Sequence, residues 1–227
     1  MLRPSSSASR LVRGGILLGL CALFALAGSA LPGRSAEPVM LAFESYGAFF
    51  SKETRQTTAI DPQVFTRVPG VPSGAGPQGI THAAGLAPAV LDDPARTLLF
   101  TADGKPLKIT LGQWLGAGGI AKIAAAGGGK ERIAASFNGL IAQGTYSLFQ
   151  VTLKPEGNAF APLDGAGTAN NLVATAQGTG SLTATTPAVM SHTNAVLLVY
   201  HSDGQAHGML RGAPGLTAHH QLIARVP

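Results

Sequence analysis

The sequence is poor in cysteine, in charge and in aromatic residues. Its one cysteine, Cys21, lies in an apolar stretch near the N-terminus. Without that stretch the chain can form no disulfide, thiolate zinc site, iron–sulfur cluster or blue-copper centre, since each needs Cys. Asp, Glu, Lys and Arg make up 12% of the 227 residues, about half the usual share, against 45% hydrophobic residues. That balance excludes a disordered or polyelectrolyte chain. The phosphate-binding GxxxxGK[ST], the GxSxG elbow, the HExxH zinc motif and the EF-hand loop are all missing. Beyond the N-terminal region no segment approaches 18 consecutive apolar residues, so no later membrane helix is expected.

What is abundant is glycine (30) and proline (15), which disfavours long helices. No collagen-like or heptad period accompanies them. Residues 1–30 read as a signal peptide: Arg3, Arg10 and Arg13 precede an apolar run from Ile16 to Ala27, and small residues follow at Gly28, Ser29 and Ala30. Twelve apolar residues span about 18 Å as a helix, short of a hydrocarbon core of about 30 Å. The expectation is export to the periplasm or exterior, with no stable membrane insertion after cleavage. Removing three arginines and no acid lowers the net charge from +5 to +2. The remainder has no basic stripe, so nucleic acid is not an expected partner.

Residues 37–60 hold Val39, Leu41 and Phe43 at strand spacing and Phe43, Tyr46 and Phe50 at helix spacing, which leaves the period ambiguous. Residues 61–94 contain six prolines and the stretch GVPSGAGPQG, and read as a Pro/Gly-rich loop or linker. Residues 31–94 are therefore expected to be an N-terminal appendage and linker, and 95–227 a β-domain. From Thr97 onward, eight or nine short strand-like runs alternate with turn residues such as Asp103-Gly104, Gly127-Gly128-Gly129 and Asn138-Gly139. Thr110-Leu-Gly-Gln113 has the form of a helix capping box that would bury Trp114. The pattern predicts an all-β fold, an antiparallel β-sandwich with Greek-key-like connections, with an up-and-down barrel as the alternative.

Three chemical-looking signals dissolve on inspection. Gly116 to Ala121 matches a relaxed dinucleotide fingerprint, but no βαβ pattern surrounds it. Ser202, Asp203 and His207 have the composition of a catalytic triad, without an elbow or oxyanion donors. Asp92-Asp93 precedes Pro94 in a turn-forming context. No catalytic residue is expected from any of them, and enzymatic activity is not expected.

Histidine is distributed unevenly. His192, His201, His207, His219 and His220 lie in the last 36 residues, and only His82 is elsewhere. The run Ala195–His201 (AVLLVYH) is the most apolar and should be a central strand, with Ala218–Val226 as its antiparallel neighbour. His201 would then lie beside His219 or His220, which cannot both face the same way. His207 could join if residues 202–217 fold back. The leading expectation is that each histidine is a polar residue at a strand end or in a loop, hydrogen-bonded locally. The alternative is a copper or zinc ion held by His201, His207, His219 and His220, with Asp203 or Met209 nearby.

The stretch Asn138-Gly139-Leu140, Gly144-Thr145-Tyr146-Ser147-Leu148-Phe149, then Pro162-Leu163-Asp164-Gly165 and Gly178-Thr179-Gly180-Ser181, resembles secreted bacterial β-sandwich domains with a GL…GxYxL(F/W) strand and a DGxG-like hairpin. The resemblance covers roughly residues 97–226 and implies a fold and export, without an activity. The size and the histidines are also similar to copper/zinc superoxide dismutase-like sandwiches. The His-x-His pair and the cysteines of that family are missing here, so no ligand carries over. The functional expectation is a non-enzymatic binding or structural module for an unknown protein or small ligand, or else a periplasmic metal-binding protein.

Overall fold

A computed structural model describes residues 37–227; the expected signal peptide, residues 1–30, lies outside the described residues. Residues 37–227 belong to one compact unit built mainly of antiparallel strands. One sheet has the order β1 (Val39–Ala42), β9 (Gly118–Gly127), β10 (Lys130–Asn138), β14 (Gly180–Thr186). A second has the order β12 (Ala159–Pro162), β11 (Thr145–Thr152), β15 (Asn194–His201), β16 (Ala218–Arg225), β2 (Glu44–Ser45), with β13 (Asn171–Val173) also on β11. A third has the order β6 (Leu86–Val90), β3 (Ile60–Arg67), β7 (Leu98–Phe100), β8 (Pro106–Thr110), and β4 (Gly74–Ala75) pairs with β5 (Thr81–His82). Among the described residues no helix is long and apolar enough to cross a membrane.

The chain runs from β10 in the first sheet to β11–β13 in the second, back to β14, and returns to β15 and β16. These crossings bring the inner faces of the two sheets together. Ile123, Ile133 and Phe137 of the first meet Leu148, Leu198 and Leu222 of the second in one buried cluster. Strand residues facing this core alternate with exposed ones along β10, as a one-sided sheet requires.

The second sheet is buried on both faces. Its outer face is covered by α1 (Tyr46–Glu53), whose Tyr46, Phe49 and Phe50 join Phe149, Leu197, Val199 and Ile223 in a second cluster. That is why β15 is apolar without alternation: every residue from Asn194 to His201 is buried. The ambiguous period of residues 37–60 resolves into both readings in turn, strands β1 and β2 and then α1, which starts where the Ser45 side chain caps it.

The turn chemistry is where the sequence places it. Gly127, Gly128 and Gly129 all have positive φ and close the β9–β10 hairpin. Gly139, at φ +63, lies so close to the chain that a Cβ there would stand 2.2 Å from the Gly116 carbonyl oxygen. Thr110 and Gln113 cap α2 (Leu111–Leu115) reciprocally, and Trp114 is buried.

The linker expected over residues 61–94 is corrected. This segment supplies β3 to β6, and Val64 and Phe65 are fully buried. Its prolines sit where a strand can spare an N–H. Pro62 falls in the irregular register between Asp61 and Phe65, and Pro88 lies on the edge strand β6. Residues 39–53 are likewise no appendage, since β1 and β2 border the two main sheets. A large-to-small change separates the two descriptions. Phe65→Ala should cost about 3–5 kcal/mol in urea unfolding, whereas a linker position would change stability by less than about 0.5 kcal/mol.

Candidate functional site

β15 and β16 are antiparallel neighbours, with His201 opposite Ala218, Tyr200 opposite His219 and Val199 opposite His220. The register shifts between Leu198 and Val199, so Gln221 is the extra residue of a bulge in β16. His219 and His220 point to opposite faces of the sheet. The His219 ring stands edge-on to Trp114 and near Tyr200, whereas the His220 ring packs against Tyr46 and Phe160.

Both rings are buried, and each ring nitrogen lies within 3.0 Å of a protein group. His219 Nδ1 donates to the Gln63 carbonyl at 2.8 Å, and its Nε2 lies 3.0 Å from Ser202 Oγ. His220 Nδ1 lies 3.0 Å from Gln63 Nε2, and its Nε2 lies 2.8 Å from Arg211 Nη1. Burial holds the His219 pKa down to about 4 and that of His220 well below its usual value, with Arg211 repelling charge on the latter. The four-histidine metal site is therefore corrected: the His219 nitrogens face the Gln63 carbonyl and Ser202, and those of His220 face the Gln63 side chain and Arg211 on the other side of the sheet.

His201 and His207 do come together, with Asp203 as the third group. Residues 202–217 fold back so that the rings of His201 and His207 lie 5.2 Å apart. One ligand atom from each of His201, Asp203 and His207 lies within 4.8 Å of the other two. His207 Nε2 is 3.0 Å from Asp203 Oδ2. His201 Nε2 is 2.8 Å from Ser147 Oγ, while its Nδ1 is buried with no hydrogen-bond partner. Burial lowers the His201 pKa to about 4, helped by repulsion from His207 and opposed by Asp203. The ring is thus neutral at pH 7, the form that ligates a metal. Met209 is exposed, and His192 is exposed on a loop away from any such group.

Gln63, which the sequence reading passed over, organises the neighbouring cleft. The His220 backbone N–H donates to Gln63 Oε1 at 2.9 Å, and Gln63 Nε2 donates to Gln78 Oε1 at 2.9 Å. Gln78 Nε2 in turn donates to the Tyr46 hydroxyl at 2.6 Å. Next to it Asp61 is wholly buried, accepting from Trp114 Nε1 at 2.8 Å and from the Gln63 backbone at 2.9 Å. Burial raises the Asp61 pKa to about 6 against these hydrogen bonds. The cleft itself has a volume of about 700 Å³ and opens beside Tyr46, Ile80, Phe160, Arg211, Leu216 and His220.

No family model, curated protein or solved structure matches the chain, so what the site can do is read from its own geometry.

The buried histidines set an acid limit. Below about pH 6.5 the unfolded chain protonates His219 and His220 while the folded chain does not, down to about pH 4 for His219, so stability falls as pH falls. Asp61 acts oppositely, because its folded pKa near 6 exceeds the unfolded 3.8 and the folded chain takes that proton first. His201, lowered to about 4 as well, adds to the loss, and together the rings outweigh one carboxyl. Thermal melts should show a net loss of stability from pH 7 to pH 4, and a flat or rising profile over that range contradicts this balance.

Proposed function

We propose that the chain is an exported, non-enzymatic β-sandwich module that holds a divalent transition metal at His201, Asp203 and His207. The observation that carries the reading is the Nδ1 of His201, a buried donor atom with no protein partner, on a ring that neighbours Asp203 and His207. A buried nitrogen lone pair without a partner is costly, and a metal ion is one of the few partners that satisfies it. Two imidazoles and a carboxylate suit zinc or copper(II) better than copper(I), which prefers thioether or thiolate. Ser147, by accepting from Nε2–H of His201, would leave Nδ1 as the ligating atom and fix the ring, as outer partners of metal-bound histidines do.

His201 is carried by the central strand of a sheet buried on both sides, whereas Asp203 and His207 lie on the following loop. The rigid ligand would anchor the ion and the loop would close on it. Export is supported by the arginine-flanked apolar run and the small residues after it. An exported protein should have an intact mass corresponding to a first residue between 30 and 37.

Titration of the untagged protein with Zn²⁺ and Cu²⁺, followed by calorimetry and metal analysis, tests the site. One equivalent should bind, His201→Ala should weaken binding most, and His207→Ala should weaken it by about tenfold or more. Retention of a full equivalent by the doubly substituted His201→Ala/His207→Ala protein, or no binding by the native chain, overturns the reading.

A further inference from the structure

The cleft beside His220 carries a second inference, independent of the metal reading. It follows from which atoms can donate. A backbone N–H can only donate, so the contact from the His220 backbone fixes the Gln63 amide with Oε1 toward it and Nε2 away. Gln63 Nε2 therefore donates both to Gln78 Oε1 and to His220 Nδ1. With Nδ1 accepting, the neutral His220 ring carries its proton on Nε2.

That proton faces Arg211. His220 Nε2 and Arg211 Nη1 are 2.8 Å apart, and the guanidinium has donors only. Two donors cannot hydrogen-bond each other; an oxygen anion placed before both accepts from both. The same chain of amides orients Tyr46. Gln78 Nε2 donates to its oxygen, so the hydroxyl proton is free to point elsewhere, and Tyr46 lines the same cleft.

Charge favours the same occupant. Arg211 is half-buried, and its guanidinium lies 3.4 Å from the centre of the Phe160 ring. Among the described residues no carboxylate forms an ion pair with it, and residues 1–36 contain no Asp or Glu. The one buried acid among the described residues, Asp61, is held by Trp114 and the Gln63 backbone. A guanidinium stacked on an aromatic face with its fork free is suited to a carboxylate or phosphate. Beyond these polar groups the walls are apolar, with Ile80, Phe160, Pro214 and Leu216, and about 700 Å³ is in the range of small-molecule sites.

We propose that this cleft binds a small organic oxyanion, whose anionic head takes the donors of Arg211, His220 Nε2 and Tyr46 and whose apolar body lies on Ile80, Phe160 and Leu216. A carboxylate and a phosphate monoester share the head chemistry, and the body separates them from the inorganic ion.

Calorimetric titration of the full exported chain with 4-phenylbutyrate, 4-phenylbutanol and inorganic phosphate, without added metal, tests the proposal. Phenylbutyrate should bind saturably and at least tenfold more tightly than the alcohol of the same shape. Arg211→Met, which keeps the apolar stem, should weaken it at least tenfold, and Tyr46→Phe by about threefold to tenfold. Arg211→Lys should fall between the native protein and Arg211→Met, since it keeps the charge and loses the fork. Equal affinity for acid and alcohol, or an unchanged affinity in both Arg211→Met and Tyr46→Phe, overturns the proposal. Binding of phosphate without phenylbutyrate overturns the part played by the apolar walls, and binding of neither overturns the whole.

Discussion

The structure depends on the clamp that Gln63 makes between β3 and β16. Its carbonyl takes His219, its side-chain oxygen takes the His220 backbone, and its amide nitrogen reaches His220 Nδ1 and Gln78. These groups are buried, so each lost partner would cost about 1–3 kcal/mol. The clamp is possible because β3 is irregular there. The register shift between Asp61 and Phe65 leaves residues 62–64 out of the ladder, so Gln63 turns to β16 while the Asp61 side chain meets Trp114. The irregular stretch of β3 thus meets β16 just before its bulge at Gln221, whose own Nε2 donates to the Trp114 carbonyl.

The same contact accounts for the division of labour among the histidines. Polar side chains in a doubly covered sheet need partners, and β3 supplies them to His219 and His220. His201, one strand over and at the sheet end, has Ser147 for one nitrogen only. Adjacent residues on adjacent strands therefore take different roles: two stitch the third sheet to the sandwich, and one is left with a lone pair to offer.

Much of the fold is legible in the sequence, because turn glycines and short apolar runs from Thr97 onward report the strands directly. The capping box at Thr110 and the central place of AVLLVYH follow from local pattern. Residues 61–94 mislead because proline density is a local signal, while the tolerance for Pro62 and Pro88 comes from a bulge and an edge that only the tertiary structure creates. The approach of His207 to His201 depends on how residues 202–217 fold back, which the sequence leaves open. The removal of His219 and His220 from that site is not legible either, since it rests on a glutamine more than 150 residues away. Arg211 and Tyr46 carry no motif, and their convergence exists only once α1 covers the second sheet.

The placement of β2 has a kinetic consequence. Glu44 and Ser45 pair with Ile223 and Leu222, so the edge of the larger sheet is closed by residues from opposite ends of the domain. Strand β1 meanwhile borders the other sheet through Val39 and Ile123. A chain made from its N-terminus cannot seat β2 until β16 has emerged, and closing so long a loop is entropically slow. Strand β1 can pair with β9 well before that, so the few residues between β1 and α1 join one sheet early and the other late.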